Sequence, residues 1–321
     1  MEAPRKDTPD LDAFVRKVWS EGGKHHRDLA WRYIDDAYAV LVSEIMLQQT
    51  QVSRVEKYWP RFLKTFPTLD ALASADTSLV LEHWQGLGYN RRALALKRTA
   101  EECALRFEGE LPRTYDELLK LPGIGPATAG GVMAFAYQRP ALYLETNVRT
   151  VFLHELFPHE EGVSDKTLEP LVLETCSKED PRGWHYALLD YGAYLKSIMP
   201  NPSRRSKHHS KQPAFEGSKR QKRAELVRIV LSTPGISTAE AKRALDEFEQ
   251  GVKNYHGTFV DQLWNGEEFI MAKGAETGIQ NIQRYGGPRS IAGDMSKGWK
   301  TTCVPTMEAV EMYYTKNGLP L

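Results

Sequence analysis

Apolar residues recur every three or four positions along most of the chain up to residue 250, with breaks at Pro or Gly. This spacing predicts amphipathic helices, and no alternating run is long enough for a strand of a sheet. Beyond residue 250 the chain turns Gly-rich and aromatic, which indicates a separate small module that allows short hairpins. We therefore predict an all-α protein with a small C-terminal extension. The predicted helices span residues 11–20, 37–51, 52–65, 69–74, 77–84, 90–106, 115–121, 126–137, 146–156, 166–176, 182–196, 218–232 and 238–249.

The composition shows that the chain can form more than one hydrophobic core, because 41% of its 321 residues are hydrophobic. Cys103, Cys176 and Cys303 lie too far apart for a disulfide framework or a CxxC metal site, so we interpret them as packing residues. The first twenty residues carry charges throughout, and the longest uncharged stretch, 121–138, is broken by Pro and Gly. We therefore expect a cytoplasmic protein without a membrane span.

The charges are segregated along the chain, although 42 basic and 42 acidic side chains give a formal net charge of zero. Residues 155–180 are mainly acidic, and the block 204–228 is strongly basic. Such a block fits a nucleic-acid surface, because each phosphate contact releases condensed counterions. The alternative is a solvated linker.

Residues 111–131 predict a hairpin of two short helices that can hold a phosphate. The first helix ends near Leu121, Gly123 and Gly125 form the turn, and Pro126 begins the second helix. The amides of Gly123, Gly125 and Ala127 or Thr128 would then point away from a helix N-terminus, where an anion is favoured. An ordinary glycine turn between two helices is the alternative.

The predicted helix over 37–51 carries Glu44 within an apolar stripe. Burial disfavours the charged carboxylate and raises its pKa, which makes a protonated acid available near neutral pH. Such an acid suits protonation of a leaving group. The alternative is a structural ion pair with Arg92 or Arg149.

Five sequence segments together resemble the helix-hairpin-helix DNA glycosylases of the HhH-GPD superfamily, and in particular MutY-like adenine glycosylases of A/G mismatches. The resemblance covers residues 30–196, and the segments occur in the family's order and spacing. They are LVSEIMLQQTQV at 41–52, GLGYNRRAL at 86–94, LPGIGPATAG at 121–130, NVRTV at 147–151 and YALLDYGA at 186–193.

The resemblance implies a fold of two helical domains. Residues 30–137 would form a six-helix barrel that contains the helix-hairpin-helix, and residues 1–29 with 138–221 would form a second domain from both chain ends. Residues 222–321 would be a C-terminal extension, with weak similarity to a winged helix at 222–249.

The resemblance also assigns roles to individual residues. Glu44 would protonate adenine at N7, and Gln49 would be the wedge that fills the stack where the target base leaves. Gln48 would contact the neighbouring groove, and Tyr89 would lie against the opposite, lesion-bearing strand. K⁺ or Na⁺ would bind the backbone carbonyls of the hairpin, at Leu121 and Gly123.

Glu145 departs from the family pattern, which has an aspartate directly before the NV segment. Glu145 is one methylene longer and lies at the predicted N-terminus of a helix, where a negative charge is favoured. A carboxylate there can stabilise the cationic sugar that develops as the glycosidic bond breaks. The alternative is that Glu145 only caps the helix.

Two further departures concern Ala127 and the segment 194–217. Bifunctional relatives have a lysine at the position of Ala127, so we expect a monofunctional glycosylase without lyase activity. Most relatives bind a [4Fe–4S] cluster through four cysteines that follow the YGA segment, whereas residues 194–217 contain no cysteine. We therefore expect no cluster, and phosphate contacts from the basic side chains that replace it: Arg204, Arg205, Lys207 and Lys211.

These features together predict a nucleoid-associated, monomeric DNA N-glycosylase that acts on double-stranded DNA with a mismatch or lesion. The expected target is adenine opposite guanine or 8-oxoguanine. Two alternatives stay open: excision of uracil, hypoxanthine, mismatched thymine or an oxidised pyrimidine, and an inactive protein that only binds mismatched or damaged DNA.

Overall fold

The computed structural model describes residues 10–209, 215 and 218–248, and it confirms the all-α prediction for these residues. Within them, the only extended pairing is an isolated bridge between Val163 and Ser206. The α-helices are α1 (Leu11–Lys24), α2 (Ala37–Leu47), α3 (Val52–Thr65), α4 (Leu69–Ser74), α5 (Thr77–Trp84), α6 (Arg91–Arg106), α7 (Tyr115–Leu118), α8 (Pro126–Gly131), α9 (Thr146–Glu155), α10 (Asp165–Thr175), α11 (Pro181–Ile198), α12 (Lys219–Ser232) and α13 (238–248). Short 3₁₀ turns cover Ala30–Arg32 and Pro202–Arg205, and a π-helical turn covers Val132–Ala136.

Several helix ends differ from the predicted ones. Helix α2 stops at Leu47 because Gln48 is extended and Gln49 is left-handed with φ 56°, so the prediction that it runs to residue 51 was wrong. Helix α1 continues past residue 20 to Lys24, and Gly22 lets its backbone approach Ala187 so closely that an added Cβ would lie 2.4 Å from the Ala187 Cβ. The predicted helix 126–137 is α8 followed by the π-helical turn.

The chain divides into two compact units, Met1–Ser232 and Thr233–Leu321. In the first unit α1 packs against α11, and α11 packs against α9, so an N-terminal helix joins helices from beyond residue 138. Helix α2 packs against α3, α6 and α8. The expected boundary after residue 221 falls inside α12, which is continuous because no Pro or Gly interrupts residues 219–232.

In the second unit, the structure describes residues 233–248. They form a turn and then α13, whose first turn is capped by Ser237 and Glu240. The predictions for residues 250–321, including the small module, lie outside the described residues. The helices that are described include none with the length and apolarity needed to cross a membrane.

Candidate active site

Glu44 is the only acidic residue of α2, and buried side chains surround it on that helix. Its carboxyl group retains partial solvent access but is packed tightly by protein, and this desolvation raises its pKa to about 8. The predicted alternative of an ion pair is wrong. Arg149 instead holds Asp165 through two bonds of 2.7 Å, and Arg92 binds backbone carbonyls.

Tyr143 and Gly131 form the wall behind the Glu44 carboxyl group. The buried Tyr143 hydroxyl hydrogen-bonds to Glu44, and this bond partly opposes the rise of the Glu44 pKa. Gly131, at the end of α8, lies so close that an added Cβ would be 2.3 Å from the Glu44 Oε2 atom. A larger residue at position 131 would therefore displace the Glu44 carboxyl group, and α8 packs directly against the acid.

Glu145 is the N-cap residue of α9. Its Oε1 atom accepts hydrogen bonds from the amides of Asn147 at 2.5 Å and Val148 at 3.0 Å, and its Oε2 atom accepts one from Asn147 Nδ2 at 3.2 Å. Burial raises the Glu145 pKa, and these donors together with the Lys196 ammonium oppose the rise. The longer glutamate therefore still caps the helix, and its carboxylate is fixed in orientation.

The two carboxyl groups converge on one place. The charge of Glu145 contributes to the raised pKa of Glu44, and both carboxyl groups contribute to the raised pKa of Tyr143, which holds its proton. Burial and the Glu44 charge raise the pKa of Tyr186. Its ring stacks on the Phe135 ring, with the ring centres 4.5 Å apart. The acid thus comes from α2, the second carboxylate from the N-cap of α9, and a flat aromatic ring from α11.

Gln48 and Gln49 lie in the connection that follows α2. The Gln48 Nε2 atom donates to the Thr128 hydroxyl at 3.1 Å, which joins this connection to α8. Gln49 is exposed and left-handed. Tyr89, in the connection between α5 and α6, is also left-handed with φ 49°. These positions suit residues that project towards a partner rather than into the core.

The hairpin over residues 121–128 presents its backbone outwards. Gly123 has φ 76° and is exposed, and Gly125 is the half-buried N-cap of α8. Among the described residues, no protein acceptor bonds the amides of Gly123, Gly125, Ala127 or Thr128. Amides at the start of a helix are a favourable site for an anion such as a phosphate.

The basic block divides into groups with different roles. Arg205 was expected to bind phosphate, but its guanidinium donates to the carbonyls of Leu153, Phe157 and Glu160 near the C-terminus of α9, so this expectation is corrected. Arg204 and Lys207 are exposed. Lys211 lies outside the described residues.

Sequence reasoning missed two residues of this region, Tyr143 and Lys196, and the contacts made by two others, Arg92 and Arg220. Tyr143 lies outside the five segments, so no local pattern distinguishes it from a core tyrosine. Arg92 lies inside the GLGYNRRAL segment but was considered only as a partner for Glu44. Arg220 Nη1 donates to the Tyr89 hydroxyl at 2.7 Å, a contact that joins positions 131 residues apart.

Comparison with known proteins agrees with this geometry. Residues 42–177 match the HhH-GPD superfamily of base excision DNA repair proteins. The adenine DNA glycosylase of Buchnera aphidicola is 34% identical over 185 residues, which are 56% of this chain and 52% of that protein. The adenine DNA glycosylase of Mycolicibacterium smegmatis is 48% identical over 126 residues, 39% of this chain and 43% of that protein. The chain thus spans about half or less of these two relatives.

A further relative is matched over more of its length. The adenine DNA glycosylase of Mycobacterium tuberculosis is 32% identical over 234 residues, which are 64% of this chain and 75% of that protein. In fold, a thermostable thymine-DNA glycosylase superposes with a TM-score of 0.53 at 24% identity, over 60% of this chain and 90% of that one. Endonuclease III in a non-covalent DNA complex superposes with a TM-score of 0.52 at 22% identity, over 60% of this chain and 91% of that one. The chain therefore belongs to the HhH-GPD superfamily of base excision DNA repair proteins, within its adenine DNA glycosylase family.

Proposed function

We propose that this protein is a monofunctional DNA glycosylase that acts as a monomer and hydrolyses the N-glycosidic bond of adenine mispaired with guanine or 8-oxoguanine. The observation that carries the proposal is the convergence of Glu44 and Glu145 on Tyr143 from two separate helices. The names of its relatives support adenine as the base.

Glu44 is the general acid. Its pKa of about 8 keeps the carboxyl group largely protonated at neutral pH, so it can donate a proton to adenine N7. Protonation withdraws electrons from the bond between C1′ and N9. The bond electrons then leave with the base, and a cationic sugar forms.

Glu145 stabilises that cationic sugar. Its carboxylate is held by the two amides at the start of α9, and Oε2 accepts only one described bond, from Asn147. A carboxylate oxygen has two lone-pair sites, so Oε2 can also face C1′ or orient a water. Water adds to C1′ and releases its proton, which leaves an abasic site.

The surrounding loops hold the DNA in the required shape. A glycosidic bond is not accessible inside a base stack, so the target nucleotide must be extruded at a cost of about a few kcal/mol. Gln49 fills the gap, Gln48 contacts the groove and Tyr89 contacts the opposite strand. The amides of Gly123 and Gly125 bind a phosphate of the bent backbone.

A monovalent cation fits beside these amides. The Leu121 carbonyl accepts the Ile124 amide at 3.3 Å, which leaves one of its lone pairs available, while the Pro122 carbonyl is taken by the Thr99 hydroxyl at 2.7 Å. The carbonyls of Leu121 and Gly123 would hold K⁺ or Na⁺. The ion would offset the negative charge of the bound phosphate.

We further propose that the protein has no lyase step and no iron–sulfur cluster. Ala127 offers no amine for a Schiff base, and Lys120 is exposed on the other side of the turn. The segment 194–217 does not fit a cluster, since it lacks cysteine ligands. Its described part attaches to the fold through Arg205 instead.

The test is a panel of duplexes, each with one labelled strand, incubated with excess protein and then treated with alkali. The duplexes contain A opposite 8-oxoguanine, A opposite G, U opposite G and T opposite G. We expect alkali-dependent cleavage at adenine only, and no cleavage without alkali. A gel shift of all duplexes without alkali-labile sites would contradict the proposal and identify a binding protein instead.

One observation favours a second substrate class. Ala127 is a small, half-buried residue at the first turn of α8, so a base-binding pocket beside it would admit bases of more than one shape. Cleavage at uracil or at mismatched thymine in the same panel, with adenine left intact, would assign the enzyme to that class.

A further inference from the structure

We propose that Arg92 is the positioning residue that sets the distance between the wedge Gln49 and the opposite-strand residue Tyr89, and that it holds both in register with Glu44. The inference rests on the proposed function. It assigns to one buried guanidinium a role in extruding the nucleotide.

Arg92 first fixes the end of the helix that carries the acid. Its Nη1 atom donates to the carbonyls of Ile45 at 2.8 Å, Met46 at 3.0 Å and Gln48 at 2.6 Å. The last carbonyls of a helix have no partner within the helix, so another group must satisfy them. Here Arg92 binds the carbonyls on either side of Leu47, where α2 ends.

The same guanidinium holds the second connection. Its Nη2 atom donates to the carbonyls of Leu87 and Gly88, each at 3.1 Å, and to the Thr50 hydroxyl, also at 3.1 Å. The guanidinium carbon also lies 5.5 Å from the centre of the Tyr89 ring. Two connections that are distant in sequence, residues 48–50 and 87–89, therefore meet on one side chain.

Arg92 binds directly next to both strained residues. Gln49 has φ 56° and Tyr89 has φ 49°, a left-handed region that residues with a side chain rarely occupy. Such conformations persist only where the surrounding structure enforces them. Arg92 binds the carbonyl that precedes each of them, those of Gln48 and Gly88. Fixing these two peptide planes fixes the direction in which both side chains project.

This role requires the shape of arginine in addition to its charge. A guanidinium has five donors in a rigid planar fork, whereas an ammonium has three donors on one atom. The Nη1 and Nη2 groups of Arg92 serve six acceptors at 7% exposure, while its Nε atom has no partner among the described residues. A lysine at position 92 would therefore keep the charge but leave carbonyls on at least one connection without a partner. The wedge and Tyr89 would then move independently of each other.

The experiment compares Arg92→Lys with a matched control, Lys97→Met. Lys97 lies on the same helix, is equally buried and donates to the Ala73 carbonyl at 2.8 Å, away from both connections. Duplex affinity, thermal midpoint and single-turnover excision are measured for each variant. Extrusion is measured separately by fluorescence of 2-aminopurine at the target position, in an E44Q background where no chemistry occurs.

We expect Arg92→Lys to fold, to bind the duplex within about fivefold of the parent, and to lose at least tenfold in both the extrusion signal and the excision rate. Lys97→Met should lower the thermal midpoint to a similar degree and leave extrusion and excision within twofold. Extrusion and excision by Arg92→Lys within twofold of the parent, or an equal loss in Lys97→Met, would overturn the inference. The extrusion signal distinguishes this outcome from failure of the proposed function, because it requires no turnover.

Discussion

The last turn of α2 and the N-cap of α9 each carry one glutamate of the site, and they place it in opposite electrostatic settings. Glu44 lies near the C-terminal end of its helix, where the macrodipole disfavours negative charge, and burial raises its pKa to about 8. Glu145 lies at an N-terminal end and accepts two helix amides and one side-chain amide. Identical side chains are thereby suited to different tasks, one as a proton donor and the other as a carboxylate.

This contrast shows that burial without helix amides favours the protonated acid at Glu44, whereas the amides at the start of α9 favour the carboxylate at Glu145. The two groups also influence each other, because the charge of Glu145 raises the Glu44 pKa further. Two like charges in one site cannot both ionise at low cost, so ionisation of one favours protonation of the other. The following predictions test each half of this contrast, from the largest effect to the smallest.

Replacing the acid should have the largest effect. We expect Glu44→Gln to lower single-turnover excision by about 10³-fold or more, because the proton donor is lost, while duplex binding is retained. The same variant should be more stable. The raised pKa means that the folded state of the parent loses stability as the pH rises from about 4.5 to about 8, and glutamine avoids this cost.

We expect this gain to reach about 4 kcal/mol in the free energy of unfolding at pH 8, measured by urea titration. At pH 4.5 the difference should vanish. A Glu44→Gln protein that is inactive but less stable at pH 8 would indicate a structural role for the carboxyl group.

Replacing the carboxylate should have the second largest effect. Glu145→Gln keeps an oxygen that can cap α9, so we expect its thermal midpoint to stay close to that of the parent. The cationic sugar would lose its counter-charge, and single-turnover excision should fall by about 10²-fold. Excision within threefold of the parent would show that Glu145 only caps the helix.

Tyr143→Phe should change the pH dependence more than the rate. The Tyr143 hydroxyl lowers the Glu44 pKa, so its removal should move the alkaline limb of the excision profile upwards from about pH 8. At neutral pH the rate should fall by less than about tenfold, since the acid stays protonated. A limb that moves downwards would contradict the hydrogen bond between Tyr143 and Glu44.

Lys196→Met should have the smallest effect. The half-buried ammonium lowers the Glu145 pKa, and the amides of Asn147 and Val148 remain without it. The acidic limb of the profile should therefore move to higher pH, with a loss of only about threefold at neutral pH. The measurement is the same single-turnover profile, extended to pH 4.5.

Much of the fold could be predicted because apolar spacing and helix signals are local. The bounds of α3, α4 and α5 match the predicted ones, and Ser164 caps α10 as its sequence suggests. The end of α2 could not be predicted in this way. It depends on Arg92, which approaches from another helix 44 positions beyond Gln48.

The site was predicted where chemistry and backbone shape coincide, and missed where a role depends on distant contacts. Glu44 and the hairpin glycines stand out because a charge in an apolar stripe and a Gly-x-Gly turn each require an explanation. Arg204 and Arg205 are neighbours of identical type, yet one is exposed and the other caps α9. Nothing in the charge pattern distinguishes them, because the difference arises from the position of the Leu153 and Phe157 carbonyls.

The central claim is that Glu44 and Glu145 face a single nucleotide, and the most direct test is the alkaline limb of excision in the parent and in Glu145→Gln. When the enzyme concentration is too low to saturate the duplex, the alkaline limb of the excision profile reports the Glu44 pKa of the free protein. The account predicts a limb near pH 8 for the parent and a lower one for Glu145→Gln, because a nearby negative charge is removed. Identical limbs in the two proteins would mean that the carboxyl groups do not share a site.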